Sequence, residues 1–547
     1  MLGRAKRQRS LFEAGHRQGH LLPVGSFYRF LNERGDEVAM DEDYTSCYCL
    51  ENGRPSHPPS FMVKLMLLQS HDDVSEREAI DRATFDLRWK IALGLAAEEP
   101  CPASRSALQL FRVRLILHEK EAQPFLRSIQ TCVEAGFLAK ELLVAIDSSP
   151  LYGRGAMKDT YNLLGDGIAQ LLRVLAPAVG STLEALAVDL GLSRYFGSSI
   201  KASESVDWLD PDARRAFLQG LVRDGERLLA HTAVLDLSPD ARTAVDSATD
   251  LLRKLIAQDI VTDDSDGKPA LKRGLTPDRT ISVADPEMRV GHKSQSQSFK
   301  GFKAHLVAES EGVIVAADVT SANMQDHQAA LDLVHQAERN TQRAAPTALA
   351  DGAYGSGATR SAFEQEARTL IAKLPRDHNR GLFTKHDFRV DLSNRTATCP
   401  AGHTVQMRDR RTENIFMWPA ATCASCPLRS RCTSRDATRG RELTLTLHEE
   451  LLQRARAQLA QPEVRSLLRR RVVVEHAIAR LMNLGARKLP FFGKAKARFF
   501  LLQKAAVANL KLGVGRLHLR AVAFLARLLP RSPVPETLPY AGFWPAL

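Results

Sequence analysis

Short apolar runs that alternate with helical patterns are the feature of this 547-residue sequence that most constrains its fold. A helix is predicted between the apolar runs 312–319 and Thr347–Ala350, and residues 165–260 also have helical periodicity. Such alternation predicts a mixed α/β sheet with helices on its faces and a helical block inserted after the first strand. The predicted strands are Leu142–Ile146, 301–308, 312–319 (joined to the preceding run as a hairpin), Thr347–Ala350 and Thr369–Leu374.

Residues 1–135 are predicted to be mostly helical. Pro58–Ser60 can begin one helix, and Ser75 followed by Glu78 has the spacing of a capping box at the start of a second. Either Ser104 or Ser106 can cap a third. Three short helices joined by tight turns are compatible with a helix-turn-helix-like DNA-binding module and equally with a plain helical bundle.

Asp147 and Asp351 each come directly after a predicted strand. Ligands of open α/β sheets bind at the carboxyl ends of the strands, so neighbouring strands would bring the two carboxylates together. Like charges repel unless one group is protonated or a cation lies between them. Mg²⁺ suits oxygen ligands and phosphate substrates. Either residue alone is better explained as an ordinary turn residue.

Glu475 lies in a predicted helix, Ser466–Asn483, with Val472 and Ile478 at helical spacing on the same face. This spacing places its carboxylate along the apolar face, and a buried carboxylate needs a partner or a metal. Arg471, one turn earlier, can supply a plain ion pair.

Basic residues dominate the sequence around Glu475. Fourteen Lys and Arg residues lie between Arg465 and Arg520, and Glu475 is the only acidic residue among them. A solvated helical face normally mixes both signs, whereas a field of one sign suits a phosphate backbone. The whole chain has 75 Lys and Arg against 63 Asp and Glu, a net charge of +12 that favours a polyanionic partner.

The chain shows no secretory signal and no run of about 18 uninterrupted apolar residues. We therefore expect a soluble, intracellular protein. In such a chain, eight cysteines argue against a disulfide scaffold.

Four of the cysteines form a late cluster: Cys399, Cys423, Cys426 and Cys432. They can form a tetrahedral thiolate site for one structural Zn²⁺, with His403 as an alternative ligand. The competing interpretation is a set of buried thiols without metal.

Five blocks of the sequence follow one another along the chain: Phe85–Trp89 with Gly94-Leu95, Asp147–Pro150 with Gly153–Ala156, Asp285–Glu287 through Gly301–His305, Ala350–Tyr354, and Val474–His476 with Ala508–Leu510. In this order they resemble the blocks of insertion-sequence transposases of the DDE class, and the resemblance covers nearly the whole chain. Each block alone is weakly specific, and the order makes the match specific.

The resemblance implies a ribonuclease-H-like core in which Asp147, Asp351 and Glu475 hold two Mg²⁺ (or Mn²⁺) ions. One ion would polarise the attacking water or 3′ hydroxyl, and the other would stabilise the leaving oxygen.

The last block departs from the family pattern, in which a Tyr and an Arg often precede the Glu and a Lys follows it. Arg471 matches the Arg, but Leu468 and Met482 stand at the other two positions. Arg480 and Lys488 are the candidates to replace the Lys. The residues expected to bind DNA are Arg471, Arg480, Lys488, Lys494 and Lys496.

The predicted organisation has seven segments. Residues 1–135 form an N-terminal helical DNA-binding domain. The ribonuclease-H-like core is assembled from residues 136–160, 281–376 and 462–515. A helical insertion (161–280) and a cysteine-bearing insertion (377–461) interrupt it, and 516–547 form a C-terminal tail.

The expected activity is cleavage of the terminal inverted repeats of the chain's own element, followed by joining of the 3′ ends to target DNA. The expected partners are double-stranded transposon ends and target, and a second copy of the chain in a homodimer on DNA. The expected location is the bacterial cytoplasm, in association with the nucleoid. The alternatives are an inactive or regulatory DNA-binding remnant and a nuclease that cleaves without joining.

Overall fold

The computed structural model describes residues 1–528 except 6–9, 50, 51, 198, 203, 275, 295, 375–378, 410–412 and 437, with side chains described up to residue 516. Residues 529–547 of the predicted C-terminal tail (516–547) lie outside the described residues. The chain divides into two compact units. The first comprises residues 1–69, 74–111 and the chain from Asn509 onward, and the second comprises 70–73 and 112–508.

Helices build the N-terminal part, as predicted. Ser75 accepts a hydrogen bond from the backbone N–H of Glu78, which confirms the predicted start of the fourth helix. Ser104 rather than Ser106 caps the sixth, because its hydroxyl accepts from the N–H of Ala107. The helices are α1 (Ala14–Gln18), α2 (Phe27–Val38), α3 (Pro59–Asp72), α4 (Glu76–Phe85), α5 (Leu87–Leu93) and α6 (Arg105–Leu117).

A helical block follows the first long strand. Helix α7 (Gln123–Glu134) precedes strand β1 (Leu143–Tyr152). The block has its own apolar core, built around buried leucines such as Leu171, Leu221 and Leu252. Its elements are α8 (Thr160–Ala178), α9 (Leu183–Asp189), α10 (Pro211–Ala233), α11 (Pro239–Asp259) and the small hairpin β2 (Ile260–Thr262) and β3 (Pro269–Leu271).

Among the described residues, no single helix is long and apolar enough to span a membrane. Helices α8 and α9 meet that test only as a pair, which is bent by 112°.

The chain then returns to the sheet that β1 begins. The predicted hairpin, helix and two further strands are all confirmed within a few residues at their ends. The elements are β4 (Arg289–His292), β5 (Ser298–Glu309), β6 (Ile314–Ser321), α12 (Ala330–Thr341), β7 (Thr347–Ala350), α13 (Gly357–Gln365) and β8 (Thr369–Ala372).

Strand β1 is at the centre of a six-stranded mixed sheet. It pairs antiparallel with β5 and parallel with β7, and β7 pairs parallel with β8. Strands β4 and β6 both pair antiparallel with β5. The strand order is β4-β5-β1-β7-β8, and β6 pairs with a later stretch of β5 than β4 does. This arrangement is that of a ribonuclease-H-like core, as predicted.

The prediction that the first strand ends at Ile146 is wrong. Strand β1 continues to Tyr152, so Asp147 lies within the strand rather than after it. Residues from Ile146 onward lose β7 as a neighbour but keep β5, with Asp147 opposite Leu306 and Tyr152 opposite Gly301. The polar residues after Ile146 gave no sequence signal for this continuation. Backbone hydrogen bonds with β5 stabilise this part of the strand, so it does not need apolar residues.

A second, smaller sheet carries the clustered cysteines. Its core is small and centres on Phe416 and Trp418. Its elements are β9 (Arg389–Asp391), β10 (Thr396–Thr398), β11 (Thr404–Asp409), β12 (Glu413–Met417), α14 (Ala420–Ala424), α15 (Arg429–Cys432) and β13 (Glu442–Thr446), with the strands paired antiparallel in chain order.

Four helices follow in the described part of the chain: α16 (Glu449–Ala460), α17 (Pro462–Arg469), α18 (Val472–Asn483) and α19 (Lys494–Leu528). The prediction of a single helix over Ser466–Asn483 is therefore wrong, because the helix is interrupted between Arg469 and Val472. Helix α18 packs on β5 and β1. Its buried residues are Val474, Ala477 and Leu481.

Gly301 is required where β5 crosses the end of β1. Its φ of 144° is rare for any residue with a side chain, and a Cβ there would lie 2.2 Å from the carbonyl oxygen of Leu151. We expect Gly301→Ala to lower the free energy of unfolding by about 2–4 kcal/mol, measured by denaturant unfolding. Gly197→Ala is the control: φ is −75° there and a Cβ meets nothing within 4 Å, so equal losses in both variants would contradict the prediction.

Candidate active site

The sheet brings Asp147 and Asp351 level with each other. Strands β1 and β7 run parallel with Ala145 opposite Leu349, so the next two residues along each strand reach Asp147 and Asp351. Asp351 follows β7 directly, as predicted, and caps a short 3₁₀ turn by accepting a hydrogen bond from the N–H of Ala353. Two carboxylates therefore emerge side by side from the centre of the sheet.

Arg471 links Glu475 to this pair. The residue lies at the break between α17 and α18, and one of its guanidinium nitrogens donates to Asp147 Oδ2 over 3.2 Å. The other terminal nitrogen donates to Glu475 Oε1. The predicted ion pair between Arg471 and Glu475 is thus present, and it includes Asp147 as well.

The prediction that Glu475 lies on the buried face of its helix is wrong. Its side chain is 47% exposed, and Val472 is also exposed. Because the helix begins at Val472 instead of Ser466, the buried face is formed by Val474 and its partners one turn apart. Glu475 consequently projects from the rim of that face toward solvent and Arg471.

Burial and nearby carboxylates raise the pKa of Asp147 to about 6. Burial is the main cause, and the charges of Asp351 and Glu475 add to it. The N–H of Ser148 and the guanidinium of Arg471 oppose the shift without cancelling it. Ionisation of Asp147 is therefore less favourable in the folded chain than in the unfolded chain.

This shift gives a stability prediction. Because the folded pKa is raised, protonated Asp147 contributes stability below about pH 4, and that contribution is lost as the pH rises through about 6. We expect Asp147→Asn in EDTA to raise the free energy of unfolding by about 1–3 kcal/mol at pH 8 and to leave it unchanged at pH 4. Thermal unfolding at the two pH values measures the difference.

Asp278→Asn is the control with the opposite sign. A hydrogen bond from Arg289 holds the pKa of Asp278 at about 2, so its ionised form stabilises the fold above about pH 4. Its replacement is expected to lower the unfolding midpoint at pH 8. A lower midpoint for Asp147→Asn as well would contradict the prediction.

A second charged network joins β1 to β5 and to the turn at Asp326. Side chains alternate between the faces of a strand, so Ser148 points away from Asp147. Its hydroxyl donates to Asp326 Oδ2 over 2.9 Å, and Lys303 donates to the other oxygen of Asp326 over 2.7 Å. The N–H of Ser148 in turn donates to Asp147 Oδ1 over 2.8 Å. This network fixes the strand at the residue that carries the first carboxylate.

Sequence reasoning missed Asp326, although the block containing Lys303 was singled out. An acidic residue at the start of a helical turn is usually a cap, so its type alone gave no signal.

His305, which lies on β5 two residues after Lys303, is fully buried and contacts Thr320, and burial lowers its pKa to about 4. It is therefore neutral near pH 7.

The segment 487–489 pairs with the far end of β1. The backbone carbonyl of Tyr152 accepts a hydrogen bond from the N–H of Leu489, and its backbone N–H donates to the carbonyl of Arg487, each over 2.9 Å. This pairing leaves Lys488 exposed beside the strand, five residues beyond Asp147. At about 3.3 Å per residue, the separation along the strand is roughly 17 Å.

Two acidic residues of the Asp285–Glu287 block hold the start of α19. Asp285 accepts a hydrogen bond from the N–H of Gly493, and Glu287 accepts one from the N–H of Lys494 over 2.7 Å. Carboxylates at a helix start satisfy its unpaired N–H groups. The exposed side chains of Lys494 and Lys496 are thereby anchored through their backbone.

Arg480 occupies a different place from the other predicted DNA-binding residues. Its guanidinium donates to the carbonyl of Gly312 in the hairpin between β5 and β6. The structure thus brings Arg471 to the carboxylates and Lys488 beside β1, while Arg480 supports the packing of α18 on the sheet.

The four clustered cysteines line one small cavity of about 20 Å³. These four cysteines are free thiols. Burial raises the pKa of the Cys432 thiol, and the other three cysteines of the cluster raise it further. His403 lines the same cavity, and its carbonyl accepts from the N–H of Cys399 over 2.9 Å.

Within the described part of the chain, no three His, Cys, Asp or Glu side chains already stand in an arrangement that could hold a metal ion. The two predicted metal sites therefore exist as neighbouring donors rather than as closed ligand sets. At the carboxylates, Arg471 holds two of the three predicted ligands.

Two family models match parts of the chain. Residues 275–510 match the family model described as Transposase DDE domain, and residues 16–114 match the model described as Transposase domain (DUF772). The first match includes Asp351, Glu475 and the cysteine cluster, whereas Asp147 lies outside both. No curated protein and no solved structure gave a significant match.

The two matched regions together cover more than half of the chain and lie in the order in which the sequence blocks were recognised. They agree with a ribonuclease-H-like sheet that places Asp147 and Asp351 side by side. The chain therefore belongs to the insertion-sequence transposases of the DDE class, which carry out DNA transposition.

Proposed function

We propose that the chain cleaves the terminal inverted repeats of its own insertion sequence and joins the 3′ ends to target DNA. In this proposal Asp147, Asp351 and Glu475 are the ligands of two Mg²⁺ (or Mn²⁺) ions. The observation that carries it is the juxtaposition of the three carboxylates: the parallel register of β1 and β7 aligns the first two, and Arg471 connects Asp147 with Glu475.

The donor set suits these ions. Carboxylate oxygens are hard ligands of the kind that Mg²⁺ prefers. Burial raises the pKa of Asp147, and the charges of Asp351 and Glu475 add to the shift, which the guanidinium of Arg471 does not cancel. When bound, a pair of divalent ions activates the attacking oxygen and stabilises the leaving oxygen of a phosphoryl transfer.

The chain's own contribution is positioning. Asp147 is fixed within a central strand and Asp351 by its hydrogen bond to the following turn, so neither must be ordered when substrate arrives. Glu475 is exposed and on a helix, so its carboxylate can turn toward an incoming phosphate.

A path for the DNA follows from the basic side chains. Lys488 lies along β1 from the carboxylates, and Lys494 and Lys496 follow at the start of α19. Exposed lysines in this arrangement neutralise successive phosphates and release counterions. We propose that they hold the transposon end with its cleavage site at the carboxylates, and that Arg471 joins them when DNA is present.

Three further roles belong to this proposal. The N-terminal helices bind the terminal repeat, two copies of the chain act together on paired ends, and the four cysteines hold one structural Zn²⁺. Thiolates are preferred zinc ligands, and the cavity between them has room for one ion.

The test is incubation of the full chain with Mg²⁺ and a labelled fragment that carries the element's end. Cleavage at the junction followed by joining to a second DNA would support the proposal. Cleavage without joining would show a nuclease, and binding without cleavage in either Mg²⁺ or Mn²⁺ would show a DNA-binding remnant.

A further inference from the structure

We propose that Arg471 is an exchangeable counter-cation that holds two carboxylates of the active site in the metal-free chain and moves to a DNA phosphate when divalent cations bind. Binding of metal and binding of the transposon end would then be coupled through one side chain. The inference rests on the proposed function, because it takes Asp147 and Glu475 as metal ligands.

The geometry is that of a bridge rather than of a simple ion pair. Two different nitrogens of one guanidinium reach two different carboxylates, which belong to a central strand and to a helix. The side chain of Arg471 is 17% exposed and that of Asp147 is 19% exposed, so this contact is shielded from solvent. Shielding makes such a pair stronger than an ion pair at the surface.

A guanidinium in this place opposes a divalent cation. Arginine does not lose its proton in proteins, so it cannot be neutralised in place. It also occupies one oxygen of each carboxylate and carries the same sign as the ion. Two carboxylates can therefore turn toward metal only when the guanidinium leaves them.

The position of Arg471 allows that exchange. It lies at the break between α17 and α18, beside the exposed Arg469 and Arg470. A long side chain at a helix junction can turn without unfolding either helix. The planar fork that now binds two carboxylates also suits two oxygens of one phosphate.

The exchange has a thermodynamic consequence with a definite sign. If metal frees Arg471 for phosphate, metal strengthens binding of the DNA end, and the DNA end strengthens binding of metal by the same factor. Removal of Arg471 would strengthen binding of metal to the free chain and abolish the coupling.

The experiment measures Mn²⁺ binding to the full-length chain without DNA, by electron paramagnetic resonance or calorimetry. We expect Arg471→Gln to bind Mn²⁺ at least about fivefold more tightly than the native chain. Arg470→Gln is the matched control, because it removes the same charge from the neighbouring position, and we expect it to change the affinity less than about twofold. Equal effects of both variants, or no gain in Arg471→Gln, would overturn the inference.

A second measurement uses a duplex that already ends at the cleavage site, so that no cleavage can occur. Added Mn²⁺ should tighten its binding to the native chain and to Arg470→Gln but leave its binding to Arg471→Gln unchanged. Coupling that persists in Arg471→Gln would also overturn the inference. If Arg471→Gln does not fold, Arg471→Lys serves instead, because a single ammonium lacks the fork that bridges the two carboxylates.

These outcomes separate the inference from the proposed function. If neither the native chain nor Arg470→Gln binds Mn²⁺, and Asp351→Asn behaves identically, the metal site itself is wrong. If the native chain binds Mn²⁺ and loses it with Asp351→Asn while Arg471→Gln binds no more tightly, only the role of Arg471 is wrong.

Discussion

Asp351→Asn is expected to slow Mg²⁺-dependent cleavage at an element end by at least about 1,000-fold, and Glu475→Gln by a similar factor. Each change replaces a charged oxygen ligand with an amide that binds a hard cation poorly. A factor of this size corresponds to about 4 kcal/mol of transition-state stabilisation. Single-turnover cleavage of a labelled end measures it directly.

Both substitutions leave the fold and the basic side chains in place, so binding of the DNA end in the absence of divalent cations should stay within about threefold of the native value. Asp332→Asn and Glu364→Gln are matched controls, since they make the same chemical changes at exposed positions on α12 and α13. Variants at Asp351 and Glu475 that cut as fast as these controls would show that the ligands have been assigned to the wrong carboxylates.

Replacing Cys423 and Cys426 together with Ser is expected to remove the bound zinc and to unfold the small sheet β9–β13. The core cluster of this sheet is small and contains Phe388, Ala397, Phe416, Trp418, Leu443 and Leu445. A core of that size stabilises a small module only weakly without a metal or disulfides. We expect the loss of metal to lower the local stability by at least about 3 kcal/mol, since binding of a structural zinc contributes directly to folding.

Zinc content per chain and amide hydrogen exchange in the strands of this sheet measure the two effects. Cys49→Ser is the control, because Cys49 lies far along the sequence from the cluster and should leave both values unchanged. Unchanged zinc content in the double variant would overturn the zinc proposal, and unchanged exchange would show that the sheet folds without metal.

The strands of the core could be predicted because buried strands consist mostly of apolar residues. Apolar runs such as Thr347–Ala350 exclude water on both faces of the sheet and can be recognised without knowing their neighbours. Helix starts were readable for the same local reason: Ser75 and Ser104 bind N–H groups only a few residues away.

The continuation of β1 beyond Ile146 could not be read locally. Residues 147–150 are polar or of low strand propensity, and the strand continues through them because β5 supplies their hydrogen-bond partners from about 150 residues away. The buried face of α18 was misjudged for a related reason. Where that helix begins depends on a break at Arg470 and Arg471, and packing on β1 and β5 then decides which residues are covered.

The sequence by itself determined the inventory of the site: two acidic residues near strand ends, a third within a basic region, an arginine one turn before it and four clustered cysteines. Each of these is a matter of residue type and local spacing. Only the tertiary structure decided that Asp147 and Asp351 are level across parallel strands, that Arg471 bridges two carboxylates, and that Asp326 contacts β1. Those contacts join residues that are far apart in the chain, and their geometry depends on strand register and helix packing, which no local pattern specifies.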